Sequence, residues 1–387
     1  MTCFANAKAV LTRAAALLGL LGWAACAGVG LVGCGSAPPP EPTALEPFKP
    51  RMTGQQMWSS SLGPLVPGQT VAVVGERFVL ATLAGDLITL DATTGLQRER
   101  VRVGAPIAAG VGSDGVYSAV VTRDNELVVV AAGAIRWKTR LNMRVVTPPL
   151  VAGERVFVQG VQRTVEAFDA QDGRKLWSFQ RPATDALALA QTGVLTAYQN
   201  TLLVGVGPRL VALDPLLGSV RAEHVMATPR GTNEVERLAD LVGPAGRSGD
   251  VVCVRAFQSS VGCVDMARSN LLWSRAHAGF QGLAADSDFV FGATTTDRLT
   301  AWRQPTGDVV WSTERFRYRG LSAPLLFDRT VVLGDAQGWI HFLSRDKGET
   351  LFRWFTDASG VMAPPVRAAK NVLVLTRAGN AYGLRVE

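Results

Sequence analysis

A chain of 387 residues with 48% hydrophobic and 18% charged side chains is too apolar to be a disordered acidic or basic tail protein. The formal net charge of +7 is mild for this length, and no basic run interleaved with aromatics occurs, so no nucleic-acid partner is expected. Forty glycines and twenty prolines spread along the sequence imply many short elements joined by turns rather than long helices.

In chain order, the first element is an export signal. Lys8 and Arg13 precede an apolar stretch, 14–32, interrupted only by small residues, which is the layout of a secretory signal. It ends in Leu31-Val32-Gly33-Cys34, which resembles a bacterial lipobox. That resemblance implies a signal peptide over 1–33, cut before Cys34, with the Cys34 thiol diacylated and the new amine usually acylated too. A transmembrane anchor with an incidental cysteine, or processing at Cys26, are the competing readings. Two or three acyl chains, at about 0.8 kcal/mol per buried methylene, anchor stably where one would be marginal. Gly35 stands where an acid would resemble an inner-membrane retention signal, which favours the outer membrane. The next segment, to residue 52, has prolines at 38, 39, 40, 42, 47 and 50, and reads as a semi-rigid tether that neither pairs in a sheet nor buries a core.

From residue 53 to 387 one short pattern returns. Its clearest copy is Val165-Glu166-Ala167-Phe168-Asp169 followed by Gly173 and Trp177. The position of Asp169 recurs at 91, 131, 169, 214, 265, 303, 344 and 385, a period of roughly 40 residues that means a propeller or an array. The segments are short, rich in Val, Leu, Phe and Thr, and bounded by turns, as strands require. No convincing helical stripe occurs after Met52, which disfavours helical arrays. Glycine stands four residues after the marker in five copies, where a hairpin turn needs positive φ. Eight markers predict an all-β, eight-bladed β-propeller of four-stranded blades. The last marker, Arg385, has no tryptophan strand after it, whereas Gln55-Gln56-Met57-Trp58-Ser59 supplies one near the other end. The N-terminal strand is therefore expected to pair with the C-terminal strands and close the ring, removing an open edge. Trp58, Trp137, Trp177, Trp273 and Trp311 then pack between neighbouring blades.

Cys253 and Cys263 are the cysteines of the mature chain besides Cys34, and an exported protein allows them to pair. They fall on two strands of a hairpin. A two-residue turn at Gln258-Ser259 places the thiols on opposite faces, whereas an odd-length turn aligns them, so the disulfide stays open. His224, His277 and His341 show no metal-ligand spacing. The aspartates at 91, 169, 214 and 265 suit turn acceptors better than catalytic acids. There is no nucleophile elbow and no Walker loop, so neither an enzymatic reaction nor a small-molecule substrate is expected.

The Ala167, Asp169, Gly173, Trp177 pattern resembles the repeat of quinoprotein-type propellers, a structural motif first known from pyrroloquinoline quinone (PQQ) dehydrogenases. A lipoprotein carrying eight such blades resembles the BamB family, subunits of the machine that assembles β-barrels into the bacterial outer membrane. The most specific stretches are Glu234 to Asp240 and Leu333-Gly334-Asp335-Ala336-Gln337-Gly338-Trp339-Ile340-His341. The resemblance implies a non-catalytic scaffold without cofactor, lipid-anchored on the periplasmic face of the outer membrane. It would dock on the periplasmic (POTRA) domains of the central barrel subunit, and unfolded outer-membrane proteins could be further partners. Two family loops make that contact. The Leu-x-Leu-Arg element appears as Leu187-Ala188-Leu189-Ala190, and the Arg-Leu-x-Asp-x-Asp element as Arg237-Leu238-Ala239-Asp240-Leu241-Val242. Leu187, Leu189, Arg237 and Asp240 match, while Ala190 and Val242 depart from the pattern, leaving a less polar contact. Leu187 and Leu189 also have the period-two spacing of strand core, and Arg237 with Asp240 could form a local surface pair worth under about 1 kcal/mol. The alternative classes are a PQQ-type oxidoreductase, which would need clustered carboxylates for Ca²⁺ and adjacent cysteines, and a ligand-sensing or cell-wall-associated propeller.

Overall fold

The computed structural model describes residues 40–66, 70–181 and 187–387. The signal segment 1–33 and Cys34 lie outside the described residues. Every sheet in the unit from Pro42 to Glu387 has four antiparallel strands, and there are eight of them among the described residues. Blade 3 shows the plan: Leu150–Ala152 is innermost, then Arg155–Gln159 and Thr164–Asp169, with Lys175–Gln180 outermost. The two middle strands are almost continuously buried because a blade packs on each of their faces, whereas the outer strand is largely exposed. The other blades repeat this order over 72–102 (blade 1), 112–140 (2), 195–225 (4), 241–276 (5), 284–313 (6), 325–355 (7) and 366–386 (8). Innermost sheet regions touch in sequence around the ring, and Ala72–Val74 of blade 1 meets Val366–Ala368 of blade 8.

Closure follows the expected route. Gly54–Ser61 pairs with Asn380–Val386, from Gln55 opposite Arg385 to Ser61 opposite Asn380, and becomes the outer strand of blade 8. The five tryptophans bind blade to blade by one device. Each indole lies against the turn glycine of the next blade and donates its N–H to a carbonyl there: Trp58 to Ala92 (3.1 Å), Trp137 to Ala170 (2.8 Å), Trp177 to Pro215 (3.0 Å), Trp273 to Gln304 (2.7 Å) and Trp311 to Arg345 (2.9 Å). Gly95, Gly173, Gly218, Gly307 and Gly348 have φ between +68° and +77°, and a Cβ on any of them would fall within 2.8 Å of the neighbouring indole. The glycine thus answers two demands, a left-handed turn and room for a ring. The repeat aspartates accept backbone N–H groups of their turns, as Asp214 Oδ1 does from Leu216 (2.7 Å) and Leu217 (3.0 Å).

In blade 5, Ala256 pairs with Ser260, so the hairpin turns through three residues, Phe257, Gln258 and Ser259, rather than two. The odd length sets Cys253 directly opposite Cys263, and the two form a disulfide.

The segment expected to be a free tether is partly laid on the ring. The Thr43 N–H donates to Arg317 O (2.9 Å), Arg315 pairs with Glu46 (2.6 Å), and the Arg353 guanidinium lies 5.0 Å from the Phe48 ring centroid. Arg51 N–H then reaches Leu351 O (2.9 Å), so residues 43–53 run along the outer edge of blade 7 as a strap. Beneath its start lies a buried network in the stretch 333–341. Asp335, with no exposed surface, accepts from Arg319 Nε (2.7 Å), His341 Nε2 (2.9 Å) and the Trp339 N–H (2.9 Å). Arg319 also donates to Thr43 O (2.9 Å), tying strap to network.

Candidate partner-docking site

One face of the ring carries the turns between second and third strands together with the connections from each blade to the next. Isolated bridges knit the two sets of loops there, including Ile107 to Thr122 and Val145 to Gly160. The two loops singled out in the sequence both belong to this face. Residues 187–190 precede the inner strand of blade 4, Leu195–Tyr198, and residues 226–240 link Val220–Val225 to Leu241–Ser248 of blade 5.

The structure brings Leu187, Leu189 and Asp240 together through a residue the sequence reading missed. Arg163, in the turn of blade 3 at φ 64°, donates Nε to Asp240 Oδ1 (3.1 Å) and Nη2 to Leu187 O (3.2 Å). Asp240 Oδ2 accepts the Leu189 N–H (3.3 Å). Both charged side chains are largely shielded, at 12% and 14% exposure, so this pair is less screened than a surface ion pair. One guanidinium therefore locks two loops from different blades into one surface, with Leu187 left 39% exposed.

Two alternatives from the sequence are corrected. Leu187 and Leu189 lie in a loop, not in a strand core. Asp240 pairs with Arg163 rather than with Arg237, whose Nε is buried without a partner. Val242, standing where the pattern has a second acid, is 1% exposed and bridges Gly193, so that position is core here.

The rest of the 226–240 loop holds itself in place. Glu236 accepts the Thr232 N–H (2.7 Å) and gives its own N–H to Asn233 Oδ1 (2.9 Å). The Thr232 bonds hold the Glu236 carboxyl below the usual range. Met226, Ala227, Ala239 and Leu241 at the roots of the loop enter the core between blades 4 and 5. At the base of the other loop, Arg181 and Arg209 both pair with Glu223. Burial would raise that carboxyl, but the two guanidinia outweigh it and hold it low.

A quinone and its Ca²⁺ would require oxygen ligands, mostly acids, clustered near the ring axis. A cleft of about 290 Å³ along the inner strands of blades 1 to 5 is lined instead by groups such as Thr70, Val73, Ser113, Thr147, Thr192 and Pro244, with no carboxylate. No three His, Cys, Asp or Glu side chains among the described residues come together in a way that could hold a metal ion. The residues present do not fit that group.

A family model described as "Outer membrane protein assembly factor BamB" matches residues 97–313 and 292–387. The protein of that name from Burkholderia pseudomallei is 34% identical over 354 residues, covering 89% of this chain and 91% of the relative. The chain belongs to the BamB family. The crystal structure of BamB from Moraxella catarrhalis superposes with a TM-score of 0.77 at 20% identity, over 86% of this chain and 100% of that one. The quinohemoprotein alcohol dehydrogenase of Comamonas testosteroni superposes less closely, at a TM-score of 0.67 and 14% identity, over 86% of this chain and 76% of that one. That likeness is one of fold alone.

Proposed function

We propose that this BamB-family propeller is a non-catalytic platform in outer-membrane protein assembly, and that the surface of loops 187–190 and 237–240 docks on the periplasmic domains of a central barrel subunit. The observation that carries this reading is the Arg163 lock, which fuses two loops from different blades into one rigid patch with an exposed leucine at its edge. Binding residues cluster on loops held by a rigid scaffold, and an apolar anchor rimmed by shielded polar groups is what a compact interface needs. The polar half of the contact is smaller with Ala190 and Val242 in place, so apolar burial around Leu187 has to supply more of the affinity. Membrane attachment through an acylated Cys34 completes the proposal and puts the platform on the periplasmic face of the outer membrane.

The test is co-purification with the barrel subunit from membranes. Leu187→Asp should abolish recovery of that subunit without lowering the unfolding temperature. Asp240→Arg alone should also lose it, and adding Arg163→Asp to Asp240→Arg should restore part of it by remaking the pair in reverse. Undiminished recovery with Leu187→Asp would remove this surface from consideration. Cys34→Ser should move the protein from the membrane fraction to the soluble periplasm, and continued membrane retention would refute the anchor.

A further inference from the structure

Among the described residues Arg255 is the largest fully buried side chain, and no acid pairs with it. It lies in Val251–Ala256 of blade 5 and reaches Gly292 in Phe289–Ala293 of blade 6. The packing makes room for the guanidinium: a Cβ on Gly279 would stand 2.3 Å from Nη1, and one on Gly292 would stand 2.6 Å from Nη2. Nη1 donates to His277 O (3.0 Å) and meets His277 Nδ1 (3.1 Å), while Nε and Nη2 are buried without partners. Removing a guanidinium from water without a counter-charge is costly. A hydrocarbon side chain would fill the space at less cost, so the fold keeps a positive charge here at its own expense.

His277, itself buried, stands between that charge and a surface cleft. A guanidinium N–H can only donate, so Nδ1 accepts and the imidazole proton lies on Nε2. Nε2 is likewise buried with no partner, although the residue lines an open cleft of about 470 Å³ between blades 5 and 6. Burial first, then the charges of Arg255 and Arg298, push the His277 imidazole down to about 3 and keep it neutral. Trp302 forms part of the cleft wall and meets the imidazole edge-on at 4.6 Å. Arg298, exposed and in no ion pair among the described residues, and Arg275 supply cations to the same wall. Asp308, the acid in the lining, is 69% exposed and stands 4.0 Å from Arg275.

We propose that this cleft is an oxyanion site for a small molecule or ion bearing a phosphate or carboxylate group, held by the Nε2–H of His277 and the guanidinium of Arg298, with Arg255 behind fixing the imidazole tautomer and lending its charge. The cleft is of the size that small ligands occupy, and charge-assisted bonds of this kind are the stronger ones. The site lies on a different blade interface from the Arg163 lock and does not depend on it.

The chain has three histidines, so the full-length protein in detergent, labelled at histidine, gives three imidazole signals. Inorganic phosphate and acetate are titrated separately. The expected result is a saturable shift of the His277 signal with at least one of them, with His224 and His341 unmoved. Saturation by phosphate alone assigns a phosphate ligand, and saturation by acetate alone a carboxylate. Arg298→Gln, at an exposed position, should weaken that response by roughly tenfold or more while its unfolding temperature without ligand stays unchanged. Leu187→Asp should leave the response intact. A non-saturating drift shared by all three histidines, or an unaltered titration in Arg298→Gln, would overturn the site.

Discussion

The side of the ring where it closes and the side that bears the candidate docking loops are built differently. Around blades 6 to 8 and 1, ring-on-glycine packing repeats: Trp311 on Gly348, Phe352 on Gly54 and Trp58 on Gly95. The strap and the buried Asp335 network add to it. Between blades 4 and 5 the device is missing, because Ala222 stands at the tryptophan position and Ser269 at the glycine position. The roots of the 226–240 loop fill that core instead. The seam that must never open uses the repeat in full, whereas the seam that carries a surface gives up a repeat element and recovers the packing from an insertion.

The largest effect should come from breaking the closure side. Gly348→Val puts a branched side chain at φ +68° and within 2.8 Å of Trp311, so backbone strain and overpacking together should cost about 4 kcal/mol or more in urea unfolding. Next is Asp335→Ala, which leaves Arg319 and His341 buried without their acceptor. A loss of about 3 kcal/mol is expected, together with faster proteolysis of the strap. Asp240→Ala on the docking side should cost only about 1 kcal/mol yet sever recovery of the barrel subunit. A small stability change with intact recovery would equate the two sides and break the comparison.

Acid adds a graded test. Burial lowers all three histidines, His277 to about 3 and His341 despite Asp335. Each folded-state pKa is thus below the unfolded value of 6.5. Their stabilising contribution is complete above that pH and is lost as the pH falls below it, for His277 down to about 3. The slope reaches up to about 1.4 kcal/mol per pH unit for each histidine. His277→Gln should flatten unfolding free energy against pH in this window, and an unchanged slope would contradict its neutral burial. The smallest effect is expected for Ser269→Gly. Restoring glycine to a turn at φ 52° with no indole above it should change stability by less than about 1 kcal/mol.

Closure and blade count were legible because they rest on local signals: a period, a turn glycine and a tryptophan displaced from one end of the repeat to the other. The disulfide was not, because strand parity hangs on whether Phe257 belongs to the strand or the turn, and a single residue decides which face Cys263 takes. Within the site, Leu187 and Asp240 could be named, but their organiser could not. Arg163 occupies an ordinary blade turn, 24 residues from Leu187 and 77 from Asp240, so nothing local marks it. Distance in sequence also hid the strap. Its prolines read as a free spacer, while the arginines that hold Glu46 and Phe48 lie near the far end of the chain. In sequence nothing sets Arg255 apart from other strand residues, and only the fold shows it buried with no acid beside it among the described residues.

Blade 8 joins the first strand of the ring to the last one synthesised. As the polypeptide emerges N-terminus first, Gly54–Ser61 appears hundreds of residues before Asn380–Val386 can receive it, and both edges stay open throughout. A crowded population of unfinished rings invites exchange, with the early strand of one copy entering the waiting slot of another. Refolding should therefore yield swapped dimers in proportion to protein concentration, and chains lacking the final strand should clump rather than circulate as monomers.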